Sequence, residues 1–125
     1  MIREGLSAEL LPQIVNARRS LVYLTVQWSG SERKSRRVFH AVAELLGSIH
    51  SSLDVVCFNL KEDSAWTEAW LTQLGPPVDE MGAPRGYGSL IWLEHGEVRD
   101  FAIAAEFLSP SDVVQRCESL WRQGA

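Results

Sequence analysis

Cysteine is scarce in this chain, with two residues, Cys57 and Cys117, far apart and in different expected elements. Such a pair offers neither a disulfide framework nor the close ligand spacing of a zinc site. The three histidines, His40, His50 and His95, fall in separate segments, so no metal centre is expected. Long apolar runs are missing, and none approaches the ~18 residues that a membrane helix needs. The first residues lack the charged-then-apolar pattern of a signal peptide, which makes a reducing, cytoplasmic setting the expectation. Basic excess is absent too. The chain has 16 acidic residues against 12 lysines and arginines, a net charge of −4, which argues against a surface built wholly for nucleic acid. With no Gly-rich phosphate loop, no cofactor is expected either.

What is present fits a single soluble domain over residues 1–125, with 46% hydrophobic and 22% charged residues. Leu21 to Gln27 is a nearly continuous β-branched and aromatic run, the pattern of a strand buried on both faces. After Gly30 the period changes. Val38, Phe39, Val42, Leu45, Leu46 and Ile49 recur three and four apart, one face of a helix from about Ser31 to His50.

Before this unit, Ser7 is expected to cap a first helix with Leu10, Leu11, Ile14 and Val15 as its apolar stripe, although Pro12 makes that helix late or irregular. After it, Leu53 to Leu60 reads as a second strand, parallel to the first. Ser64 caps a helix bearing Trp66, Ala69, Trp70 and Leu74, which Gly75, Pro76 and Pro77 end. Pro76 to Gly86 reads as a surface loop. Ser89 to Glu94 and Glu97 to Ile103 form a hairpin around His95 and Gly96. Ser109, Pro110 and Asp112 carry the start signals of a last helix, whose buried face is Val113, Val114, Cys117, Leu120 and Trp121.

Several of these segments share a resemblance. Trp28, Ser29, Gly30, Ser31, Glu32 and Arg33 resemble the thioredoxin active-site turn, Trp-Cys-Gly-Pro-Cys-Lys, with both cysteines replaced. Leu53 to Leu60 is similar to the family's strand ending in Leu-Asn-Ile-Asp, and Tyr87 to Val98 to its Ile-Pro-Thr-Leu hairpin with an Asn-Gly-Glu-Val turn. The resemblance covers roughly residues 7 to 122 and implies an α/β thioredoxin-like sandwich. The expected architecture is a central mixed sheet of about four strands flanked by about four helices, with the family's N-terminal strand short or missing.

The same resemblance implies a lost activity. Ser29 stands where the attacking thiol would be and Glu32 where the resolving thiol would be. Thiol–disulfide exchange needs a thiolate, and an alcohol does not replace it. Tyr23 stands at the position of the family's buried acid, Cys57 at that of its buried lysine and Gly88 at that of its cis-proline. The Tyr87–Gly88 peptide is therefore expected to be trans. The chain is expected not to be a disulfide oxidoreductase.

The expected function is that of a redox-inactive protein- or peptide-binding domain, of adaptor or chaperone type. Its expected binding edge is Trp28, Ser29, Gly30, Ser31, Glu32, Arg33 and Arg37 with the 76–88 loop, including Tyr87 and Gly88. Arg33, Lys34, Arg36 and Arg37 crowd the positive end of a helix, where acids are preferred. They read as a solvated face balanced by acids such as Glu32, or as an anion site for a partner's acidic side chains or a phosphate. Two other classes stand beside this one: a transferase-like enzyme holding a thiol or anionic substrate at Ser29, and an assembly subunit. The plainest role for Ser29 or Ser31 is helix capping.

Overall fold

The strand signal at Leu21 marks the centre of the molecule. In a computed structural model describing residues 2–26, 32–75 and 88–121, the elements run in this order: β1 (Ile2–Glu4), α1 (Ser7–Asn16), β2 (Arg19–Thr25), α2 (Arg33–Ser48), a 3-10 turn (Ser51–Leu53), β3 (Val56–Lys61), α3 (Ala65–Leu74), β4 (Ser89–Glu94), β5 (Glu97–Ala102), a second 3-10 turn (Ala105–Phe107) and α4 (Pro110–Trp121). The mixed sheet has the order β1-β3-β2-β4-β5. β1 and β2 run parallel to β3, and β4 runs antiparallel to β2 and β5. The sheet has five strands among the described residues, because the N-terminal strand is present as a three-residue edge.

Strand alternation divides the core into two layers. Leu21, Tyr23, Cys57, Leu90 and Trp92 pack with Phe39, Val42 and Leu46 of α2 and Val113, Cys117 and Trp121 of α4. Val22, Leu24, Phe58, Leu60, Ile91 and Leu93 face the other way, onto Leu10 and Ile14 of α1 and Trp70 and Leu71 of α3. Each such fully buried side chain contributes about 1.5–3 kcal/mol relative to exposure.

The expected boundaries shift where tertiary contacts override local signals. β2 begins at Arg19, two residues earlier than expected. Its guanidinium is buried and donates to the carbonyls of Leu53 at 2.8 Å and Trp121 at 3.1 Å, tying the ends of the first 3-10 turn and α4 together. Ser7 does not cap α1. It is the buried first residue of the helix, and its hydroxyl lies 3.1 Å from that of Thr67 on α3. Pro12 sits inside α1 on the solvent side, and Val15 is 51% exposed, so the buried stripe is Ser7, Leu10 and Ile14. On α3 the buried face is Thr67, Trp70 and Leu71, with Trp66 62% exposed. Ile49 lies beyond α2 and is exposed.

Several local signals hold. Ser64 accepts from the Trp66 amide at 3.2 Å. Ser109 and Asp112 form a reciprocal capping box, each side chain accepting from the other's amide at 3.1 Å. His95 and Gly96 both have positive φ, 51° and 79°, as a two-residue hairpin turn requires.

Candidate functional site

Tyr23 lies in mid-strand on β2, where the alternation turns it toward α2. Its ring is fully buried and stacks on Phe39, centroids 4.9 Å apart. Strand geometry then brings the phenol under the N-terminus of α2. There it donates to the Glu32 carboxylate. Glu32 is the residue before α2, and its side chain is fully buried and accepts from Arg36 one turn later. A carboxylate at this helix end is favoured by the dipole, and it answers one of the four cations gathered there. Arg36 is thus taken out of the expected free cluster, while Arg33, Lys34 and Arg37 stay exposed. Among the described residues those three have no ion-pair partner.

Gly88 closes this group from the side of β4. Its φ is +77°, and a Cβ there would lie 2.5 Å from the Ser35 Cβ and 2.6 Å from the Tyr23 hydroxyl. The glycine carbonyl accepts from the Ala105 amide at 2.9 Å, and the Ser35 hydroxyl accepts from the Glu106 amide at 2.9 Å. Tyr23, Glu32, Ser35 and Gly88 therefore form one buried assembly, with Arg36 on its solvent side, at the place where the sequence resemblance puts a redox centre.

This corrects part of the expected binding edge. Glu32 is not a surface residue, because the phenol and the guanidinium draw it inward. Gly88 is buried behind Tyr23 instead of facing a groove. Arg33 and Arg37 are on the surface as expected. Trp28, Ser29, Gly30, Ser31 and Tyr87 lie outside the described residues, and with them the Tyr87–Gly88 peptide and the whole loop from Pro76 to Gly86. Sequence reasoning noted Tyr23 as a lost acid and left Arg36 out of the site. The signal that joins them is arithmetic: Glu32 and Arg36 are i and i+4, and Tyr23 shares its strand face with Leu21.

The cysteines are elsewhere. Cys57 pairs in register with Leu21, while Asn59 is the residue opposite Tyr23. Both thiols are free, buried and in the same core layer. Burial first, then the neighbouring Cys117, pushes Cys57 up to about 12, and burial pushes Cys117 up to about 11. Burial likewise pushes Tyr23 up to about 12, with Arg36 working against it.

These shifts carry a pH prediction. The folded chain holds three protons that the unfolded chain releases from pH ~9 upward, so their contribution is complete below that pH and is lost as pH rises through 11 to 12. Urea midpoints are expected to be flat up to pH ~9 and to fall steeply above it. A chain with Cys57→Ala and Cys117→Ala is expected to begin its decline nearer pH 10, with only the tyrosine remaining. A flat profile to pH ~11 in both proteins overturns this.

Comparison with known proteins follows the same architecture. No family model and no curated protein matches this chain. Among solved structures, the chain is similar to thioredoxin f from spinach chloroplast (long form), with a TM-score of 0.64, 14% identity, and coverage of 95% of this chain and 85% of that one. Oxidized thioredoxin O2 from Arabidopsis thaliana gives 0.64 at 16% identity, covering 96% and 94%. Thioredoxin f2 in its complex with ferredoxin:thioredoxin reductase gives 0.62 at 16% identity, covering 94% and 93%. At these identities the likeness establishes the fold: the chain has the α/β architecture of the thioredoxins.

Proposed function

We propose that this chain is a redox-inactive thioredoxin-like domain that binds a protein or peptide. The observation that carries the reading is the fate of the second thiol position. Glu32 occupies it, fully buried and bound by Tyr23 and Arg36, so the space is filled by a structural network with no thiol in it. The turn before it, Trp28 to Ser31, also contains no cysteine. The thiols the chain does have are buried and strongly resistant to ionisation, which withholds the attacking thiolate at neutral pH.

Binding is supported by what remains exposed next to that turn. Arg33, Lys34 and Arg37 project from the first turns of α2 beside the sequence segment holding Trp28. Thioredoxin f2, of the same fold, has been seen in a complex with a reductase, which gives precedent for protein recognition on this scaffold. The transferase-like alternative at Ser29 has no specific observation in its favour among the described residues.

One two-part experiment tests the reading. With dithiothreitol present, the purified chain is expected to leave the rate of insulin disulfide reduction at the uncatalysed level. A partner captured from native lysate is expected to bind more slowly at low salt, by about tenfold, when Arg33→Glu and Arg37→Glu are combined, because steering by exposed charge acts on the on-rate. Thermal melts of that variant are expected to be unchanged or slightly raised, since acids suit a first helical turn. Turnover abolished by Cys57→Ser would falsify the redox half. Unchanged association in the charge-reversed protein overturns the placement of the binding edge.

A further inference from the structure

α1 and α3 carry more apolar surface than the sheet beneath them covers. Both lie on the sheet face opposite α2, and each buries one stripe, Leu10 and Ile14 from α1, Trp70 and Leu71 from α3. The helices touch through the hydroxyls of Ser7 and Thr67, and a groove of about 490 Å³ lies between them. Leu11, Pro12 and Val15 form one wall, Trp66 and Ala69 the other, and the buried Trp70 lies at its floor. Val15 and Trp66, which helical periodicity assigns to the apolar stripes, are both more than half exposed. Each helix thus has a second apolar stripe beside its buried one. The polar positions Glu9 and Gln13 on α1, and Glu68 and Thr72 on α3, lie farther round toward solvent.

Charge selects what covers this groove. Among the described residues that line it none is charged, and its polar members are Asn16 and Gln73. A two-fold contact sets a surface against its own copy, so every charge near the axis meets its like. A chain of net charge −4 repels itself, and least so through a neutral face. A foreign partner is selected by complementary charge, which the exposed cations at the start of α2 offer and this groove does not. Shape points the same way. The face holds a projecting apolar side chain, Trp66, and a recess beside it, the two parts that a self-complementary contact needs.

We propose that a second copy of this chain covers the groove, in a two-fold dimer through α1 and α3 with Trp66 of each copy entering the groove of the other. Size sets its strength. Two ten-residue helices side by side have a footprint of about 15 Å by 20 Å, well below the ~800 Å² per partner of a standard interface. The dimer is accordingly weak, with a dissociation constant of about 50 μM. The edge at α2 lies on the other side of the sheet and stays open, so this contact is independent of the binding role proposed above.

Sedimentation equilibrium of the full chain tests it. The chain is expected to be chiefly monomeric at about 5 μM and chiefly dimeric at about 500 μM. Trp66→Glu and, separately, Ala69→Glu are expected to weaken association by about tenfold or more, each setting like charges across the axis. Both positions are exposed, and melts that match the parent chain at low concentration confirm that the variants fold. Raising salt from about 50 to about 500 mM is expected to change the parent's dissociation constant by less than about twofold, since no ion pair crosses a neutral face. The same salt is expected to restore part of the association in the glutamate variants by screening the new repulsion. A parent chain that remains monomeric at about 500 μM overturns the proposal. So does a dimer that both variants leave intact, or one that salt dissociates, which places the contact on a charged face.

Discussion

Replacing Arg36 with methionine is expected to destabilise the fold by about 3–5 kcal/mol, the cost of leaving a buried carboxylate without its cation. The methionine retains most of the packing volume, so the loss isolates charge from shape. Arg36 is 42% exposed in its side chain and Glu32 is not exposed at all, so the two partners are not equivalent. Removing the acid leaves a guanidinium that water reaches. Removing the cation leaves a carboxylate that water does not reach, with the Tyr23 hydroxyl still donating to it. Glu32→Gln is therefore expected to cost less, about 1–3 kcal/mol, because the amide oxygen still accepts from Tyr23. The double variant, Glu32→Gln with Arg36→Met, is expected to be more stable than Arg36→Met alone, a coupling that a double-mutant cycle from urea melts measures directly. Equal losses in the two single variants, or no recovery in the double, overturn the assignment of Glu32 as a buried charge held chiefly by Arg36.

Gly88→Ala is expected to cost about 2–5 kcal/mol, from two sources that add. A Cβ at φ +77° carries a backbone penalty of about 1–2 kcal/mol, and forcing it between Ser35 and Tyr23 adds about 1–3 kcal/mol of overpacking. Neither neighbour has room to yield. The Ser35 hydroxyl is engaged by the Glu106 amide, and the Tyr23 ring is clamped on Phe39. Gly88→Pro, which writes the family's proline back into the sequence, is expected to be worse than alanine. Proline fixes φ near −65°, a conformation opposite in sign to the one this backbone adopts. Ser35→Gly in the alanine background is expected to restore part of the loss and no more, because the φ penalty and the Tyr23 contact remain. A thermal melt of Gly88→Ala within a degree or two of the parent chain overturns the close-packed reading of this position.

Both variants probe a centre whose parts were visible in the sequence but not their relation. The turn without cysteines, the position of Tyr23 and the missing cis-proline are read directly from the order of residues, because each depends on a short motif at fixed spacing. So do the Ser64 cap, the Ser109–Asp112 capping box and the His95–Gly96 turn, whose hydrogen bonds and dihedrals close within a few residues. The fold class followed from the order of these elements together with the resemblance of the turn, strand and hairpin motifs to those of the thioredoxins. A continuous β-branched and aromatic run at Leu21 and a helical period after Gly30 mark a strand followed by a helix.

Tertiary structure decided what periodicity leaves ambiguous, namely which neighbour meets each face. The charge cluster at Arg33–Arg37 reads as four equivalent cations along the chain. The sheet separates them, because Tyr23 rises under the helix end and draws Glu32, and with it Arg36, inward. β1 was faint in the sequence because three residues give too short a pattern, and its pairing with β3 makes it a strand. Arg19, just before the expected strand, and Ser7, the expected cap, are buried, since their partners, Leu53, Trp121 and Thr67, lie far away in sequence. Local free energies set the elements of this protein. Its buried charge exists only where contacts distant in sequence exclude water.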